Sequence, residues 1–189
     1  MARNLLILSS NSGSGEAAKT EVVDALFFHD IDLEVTNTKH RDLYLVRTDL
    51  DPIQAHSMVM DSLPTHISKL IPVQKTCALD LDQIKKACLD LVHGQESTSF
   101  AVRAKVRGSK ISSTLLEREI GASIKERHPL SVDLKNPGFV IYVEVIDGLA
   151  AVSVLPAEFP ISAKSLREKI ISSIDYMKEG SKSEEEKEH

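Results

Sequence analysis

The run from Val140 to Leu155 constrains this chain most. Val140–Ile146 and Leu149–Leu155 are almost wholly apolar and are separated by Asp147-Gly148. Asp-Gly between two such runs signals a two-residue hairpin, because the favoured turn needs positive φ at both central positions. The first arm is apolar at odd and even positions alike, so it belongs at the centre of a sheet with both faces covered. Glu144 and Asp147 break the run, which rules out a bilayer span. Other strands and helices must therefore surround the hairpin, and the rest of the sequence supplies them in an α+β order.

The first half reads as a unit of its own. Leu5–Leu8 is a short buried strand ended by the turn-rich Ser9–Gly15, and Glu16–His29 follows as a helix with Ala18, Val22, Ala25 and Leu26 on one face. Asp32–Thr38 and Asp42–Thr48 form a hairpin around Lys39-His40-Arg41. Asp51 caps a second helix, with Pro52 at its first position, that runs to about Leu63. Leu70–Cys77 is one further strand. The order is βαββαβ, the ferredoxin-like arrangement, over residues 1–78.

The second unit spans residues 79–160. Asp80–His93 is an amphipathic helix closed by Gly94. Phe100–Arg107 alternates strictly, with Phe100, Val102, Ala104 and Val106 on one face and Ala101, Arg103, Lys105 and Arg107 on the other. Thr114 and Glu117 read as a capping box for a helix to about Arg127. Gly121 inside that helix costs about 1 kcal/mol against alanine, which points to a close packing contact. Ser131–Leu134 is a short extended piece and Lys135–Gly138 a turn. Ser165 with Glu168 caps a last amphipathic helix, Ser165–Met177, within residues 161–178. Residues 179–189 form a charged, low-complexity tail expected to be disordered.

Cys77 and Cys88 are too few for a disulfide framework, and the seven histidines form no metal-ligand spacing. The expectation is two reduced thiols in a cytoplasmic protein that needs no metal or cofactor. Gly13–Thr20 falls one residue short of a phosphate-binding loop, with Ala18 where its second glycine should be and Glu16 bringing a carboxylate towards the phosphates. No G-x-S-x-G or paired-carboxylate pattern stands out, so no catalytic activity is expected.

The charge distribution is the more informative signal. The chain as a whole carries −5, and aromatics make up only 4%, which argues against a surface built on base stacking. Between Ala101 and Lys135, however, eight basic residues (Arg103, Lys105, Arg107, Lys110, Arg118, Lys125, Arg127, Lys135) face only four acids. Alternation sets Arg103, Lys105 and Arg107 about 7 Å apart on one strand face, near the spacing of successive phosphates. Such a face also serves simply to resist aggregation. The candidate RNA-binding set is Arg103, Lys105, Arg107, Lys110, Lys125, Arg127, Lys135 and Asn136.

Several segments carry a resemblance. Phe100-Ala-Val-Arg, the helix bearing Glu119-Ile120-Gly121, Val132-Asp-Leu-Lys-Asn-Pro137 and the hairpin after it resemble a THUMP domain, and Ile71–Cys77 resembles the junction that precedes one. The resemblance implies a tRNA-binding domain that positions the acceptor end. No downstream segment resembles a catalytic domain, so the chain is most similar to the stand-alone THUMP adaptors of tRNA cytidine acetylation. In those, a partner acetyltransferase makes N4-acetylcytidine. It further implies motif positions at Asp133, Leu134, Asn136 and Pro137, of which Asp133, Leu134 and Pro137, with Gly121, are expected to be structural. A nucleotide-binding enzyme using Gly13–Thr20, or a protein-interaction module using the last helix, are the alternatives. Whether that helix packs on its own chain or on a second subunit stays open.

Overall fold

The computed structural model describes residues 3–173. The first unit runs β1 (Asn4–Ser10), α1 (Gly15–Leu26), β2 (Glu34–Asn37), β3 (Leu43–Thr48), α2 (Pro52–Asp61) and β4 (Ile67–Val73). Its four strands lie in the order β2-β3-β1-β4, with every neighbouring pair antiparallel. Asp51 caps α2 through a side-chain oxygen that accepts from the Ile53 and Gln54 amides at 2.9 and 3.1 Å. Leu6, Leu8, Val46 and Leu70 meet Ala18, Val22, Leu26, Ala55, Val59 and Met60 from the two helices. Burying each of the larger side chains contributes about 1.5–3 kcal/mol.

The strand expected over Leu70–Cys77 is two strands. At Gln74 the chain leaves the first sheet, and β5 (Lys75–Ala78) joins a second. Gln74 itself makes the switch. Its amide donates to the Val152 carbonyl at 3.1 Å, and its side-chain oxygen accepts from the Val154 amide at 2.7 Å. A run of extended residues reads the same whether it stays in one sheet or changes sheets, because the side-chain period is two in both.

The second unit continues with α3 (Leu81–Val92), β6 (Ser99–Arg107), α4 (Ser113–Arg127), β7 (Ser131–Val132), β8 (Phe139–Ile146) and β9 (Leu149–Pro156). Its sheet has the order β5-β9-β8-β6-β7. The central β8 is antiparallel to β9 and parallel to β6. Asp147 and Gly148 have φ of +49° and +93°, as the tight hairpin requires. One face of β8, with Ile141, Val143 and Val145, packs on α3 and α4 together with Phe100, Ile84, Leu116 and Ile120. The opposite face presents Tyr142 and Ile146, with Leu149 and Ala151 of β9, to Leu5, Ile7, Leu43, Ile71 and Val73 of the first sheet. The result is four layers: helices, sheet, sheet, helices. That is why β8 is apolar on both sides.

Two helix starts differ from expectation. The cap of α4 is Ser112, whose hydroxyl accepts from the Leu115 amide at 3.4 Å, two residues before Thr114. Glu117 turns away from the helix end and accepts the Ala104 amide of β6 at 2.9 Å. β7 pairs only with Ser99 and Phe100, so that amide lies beyond its reach and the carboxylate takes the ladder's place. The last helix, α5, covers residues 163–173 of those described, so Ser165 lies inside it and donates its hydroxyl to the Ser162 carbonyl at 2.9 Å. Ala163 and Leu166 pack on the first unit, and Arg167 donates to the Pro64 carbonyl. Ile174, Met177 and the tail 179–189 fall outside the described residues. Among the described residues no helix is long and apolar enough to cross a membrane.

Candidate nucleic-acid interface

β7 is so short that α4 and the segment after it splay apart along the open edge of β6. Between them lies a cleft of about 440 Å³. Thr114, Arg118, Gly121, Ala122 and Lys125 line one side at helical spacing, and Val132 and Leu134 line the other. Val102, Arg103 and Glu117 complete it. Leu134 is 61% exposed and Val132 46%, unusual values for apolar residues within an ordered segment.

Gly121 is buried, yet a methyl group at its Cβ would meet no atom within 4 Å. It is not the close packing contact its place in the helix suggested. It keeps the cleft open. The opposite wall is held by Asp133, whose Oδ1 accepts from the Lys135 and Asn136 amides, both at 2.9 Å. Those two hydrogen bonds hold the Asp133 carboxyl below its usual range. Arg103 reaches across the mouth and donates to the Leu134 carbonyl at 2.8 Å. The carboxylate lining the cleft, Glu117, is engaged with the Ala104 amide, and Arg118 pairs with the neighbouring Glu119 at 3.3 Å, which leaves Arg103 and Lys125 to set its character.

The alternating basic face of β6 does not open onto free solvent. Register places Arg103 beside Tyr142, Lys105 beside Glu144 and Arg107 beside Ile146, on the face that packs against the first sheet. Arg103 and Lys105 are exposed at the margin of that contact. Arg107 is turned inward, and its guanidinium donates to Glu144 at 2.5 Å with both side chains mostly covered. Burial raises the Tyr142 hydroxyl above its ordinary range, against the lowering effect of Arg103.

The remaining candidates are distributed. Lys135 and Asn136 are exposed just beyond Leu134, Lys110 is exposed in the loop between β6 and α4, and Arg127 is exposed in the last turn of α4. The half-buried Pro137 leads into β8. Arg103 and Lys125 therefore share the cleft, Lys135 and Asn136 adjoin its wall, and Arg107, Lys110 and Arg127 do not line it. Val102, Thr114, Arg118, Ala122 and Val132 were not singled out by charge alone. The spacing 114, 118, 121, 122, 125 on one helix face was the legible signal for most of them.

The Gly13–Thr20 turn has its own occupant. The Tyr44 phenol lies directly against Gly15 in the first turn of α1. Lys19 is paired with Glu16 at 2.6 Å and stands 5.5 Å from the centre of the Tyr44 ring.

A short-edged sheet, two covering helices and a basic-walled cleft define an α/β domain open along one sheet edge. Residues 78–155 match the THUMP domain model, so the second unit is a THUMP domain. The chain is 43% identical over 65 residues to the uncharacterized protein MJ0421 of Methanocaldococcus jannaschii, a match covering 34% of this chain and 18% of that protein. It is 26% identical over 140 residues to the probable tRNA sulfurtransferase of the same organism, covering 70% of this chain and 36% of the relative. The chain thus spans well under half the length of either relative. The crystal structure of PH1313 from Pyrococcus horikoshii Ot3 has the same fold, with a TM-score of 0.62 at 19% identity, covering 82% of this chain and 56% of that one. So does a 4-thiouridine synthetase in complex with RNA and ATP, with a TM-score of 0.56 at 19% identity, covering 82% and 42%.

Proposed function

We propose that this protein binds tRNA through the α4–β6 cleft and presents its acceptor end to a tRNA-modifying enzyme, a cytidine N4-acetyltransferase. It carries out no chemistry of its own and acts in the cytoplasm. Its units are an N-terminal ferredoxin-like domain over 1–78, a THUMP domain over 79–160 and the helix α5. The antiparallel order β2-β3-β1-β4 supports the first of these.

One observation carries the proposal. Within the THUMP domain, an apolar floor of Gly121, Ala122, Val132 and Leu134 is flanked by Arg103 and Lys125, while Glu117 is engaged with the Ala104 amide and Arg118 pairs with Glu119 at the rim. A floor of this kind accepts an unpaired base or sugar, and the cations take the backbone that carries it. A name drawn from tRNA sulfurtransfer in one relative, and RNA bound to a protein of the same fold, point the same way.

The test is filter binding of a tRNA transcript, intact or shortened at its single-stranded 3′ end, to the wild type and to Arg103→Glu and Lys125→Glu. The intact transcript should lose at least about tenfold in affinity for each variant, since each replaces a phosphate partner with a repelling charge. The shortened one should bind all three alike. Equal binding of the intact transcript by wild type and variants would remove the cleft from the reading.

A second reading rests on Ile170 and Ile171 of α5, which are 38% and 58% exposed while Leu166 packs on the first unit. They offer a protein contact. Pull-down followed by RNase treatment separates the two, because a partner held by this helix survives loss of the RNA.

A further inference from the structure

The end of α1 carries a second surface, which lies in the first unit and shares no residue with the cleft. Val22 and Leu26 turn into the core, while Val23, Phe27, Phe28 and Ile31 belong to none of the buried clusters. Phe28 is 89% exposed and Ile31 77%. Phe27 stands one helical turn beyond Val23, its amide donating to the Val23 carbonyl at 2.8 Å. Phe28 meets it edge-on, with ring centres 5.9 Å apart. With Asp24, the side chains of Val23, Phe27 and Phe28 line a hollow of about 490 Å³. Large apolar side chains left together in water mark a contact surface.

The charge around the hollow says what covers it. From Thr20 to Thr38 the chain has five carboxylates, Glu21, Asp24, Asp30, Asp32 and Glu34, one histidine, His29, and no lysine or arginine. Three of the five are satisfied within the fold: Glu21 by the Thr65 and His66 amides, Asp30 by Thr48 and Arg3, and Glu34 by Arg3 at 3.9 Å. Asp24, in the wall of the hollow, and Asp32, next to Ile31, are exposed, and among the described residues neither has an ion-pair partner. Arg3 reaches Asp32 only through its carbonyl, and Lys19, one turn before Val23, is taken by Glu16. Such a rim repels RNA phosphates and anionic lipid headgroups. A second copy of the same surface would bring only more carboxylates, and the chain's own Glu184–Glu188 has four glutamates to one lysine. A free carboxylate at the edge of an apolar contact is matched by lysine or arginine, and a hollow on one helix surface takes the side-chain ridge of another helix.

We propose that the α1 surface docks an amphipathic helix of a protein partner, its apolar face seated on Val23, Phe27 and Phe28 and a lysine or arginine set against Asp24. The inference does not depend on the RNA-binding reading, and the partner does not compete with RNA for the cleft.

Two probes test it by fluorescence anisotropy with the full chain: a leucine–lysine peptide of about five helical turns, and the same peptide with glutamate for lysine. The wild type should bind the lysine peptide at least about tenfold more tightly than the glutamate one. Phe28→Ser should lose at least about tenfold in affinity for it, and Asp24→Lys should reverse the preference. Phe28→Ser should leave the melting temperature and tRNA affinity unchanged, since the side chain is exposed and outside the cleft. A wild type that binds neither peptide, or an affinity unmoved by Phe28→Ser, overturns the proposal. So does self-association, binding to phosphatidylglycerol vesicles or binding to tRNA that Phe28→Ser abolishes, because the surface then serves a second copy, a lipid or the RNA. The peptide assay contains no RNA, so failure of the cleft reading leaves its result standing.

Discussion

Replacing Gly121 by alanine should stabilise the protein, although Gly121 is buried in the THUMP domain. It lies in the interior of α4, between Ser113 and Arg127, where glycine costs about 0.8–1.0 kcal/mol relative to alanine. A buried site usually cancels that gain with a clash. Here an added Cβ meets nothing within 4 Å, because the position opens onto the cleft. The net change is therefore about 1 kcal/mol in favour of the folded state, or about 2–4 °C in melting temperature for a protein of this size. Thermal unfolding followed by circular dichroism would measure it. Gly121→Leu extends the logic: its side chain projects into the 440 Å³ cleft, so the fold should survive while RNA affinity falls. A melting temperature that drops in the alanine variant would refute the reasoning, since only a close neighbour at that position could reverse the helix term.

Two other residues report on burial. His56 is 1% exposed, neither ring nitrogen has a hydrogen-bond partner, and it packs at 4.5 Å between ring centres on Phe159. Burial lowers it to about 4 from an ordinary 6.5, against small raising effects from the Pro160 and Leu70 backbone. The unfolded chain therefore binds the extra proton first. Stability from this residue is present above pH 6.5, and about 3 kcal/mol of it is lost as pH falls through 4. His56→Phe should flatten the pH dependence of denaturant unfolding over that window, and an unchanged pH profile would count against it. Arg107→Ala strands Glu144, which is 9% exposed, and should cost about 3 kcal/mol by urea unfolding. The double variant Arg107→Ala/Glu144→Gln should recover much of that loss. A cost below about 0.5 kcal/mol for the single change would mean that Glu144 is solvated.

Local patterns accounted for most elements and for little of the site geometry. Asp147-Gly148, Asp51-Pro52 and the alternation in β6 act through nearest neighbours, and each appears where its own chemistry puts it. The cap of α4 was displaced because Glu117, a good N3 residue by sequence, had a better use: an unpaired amide on a strand brought beside it only by folding. Ser165 was displaced for a similar reason, as residues 161–163 are drawn onto the first sheet, with the Leu70 amide donating to the Ile161 carbonyl.

That Val140–Ile146 is a central strand, that helices and strands alternate around it, and that positive charge gathers between Arg103 and Lys135 was legible without coordinates. These follow from hydrophobic period and composition, which act along the chain. Tertiary structure alone decided which basic residues are available. Arg103, Lys105 and Arg107 are equivalent in an alternating strand, yet the second sheet packs on the first, so Arg107 is turned onto Glu144, Arg103 reaches the cleft and Lys105 stays exposed at the margin of the contact. Gly121 was likewise decided by its surroundings, since whether a missing side chain marks a contact or an opening depends on what stands opposite, and β7 is too short to place anything there.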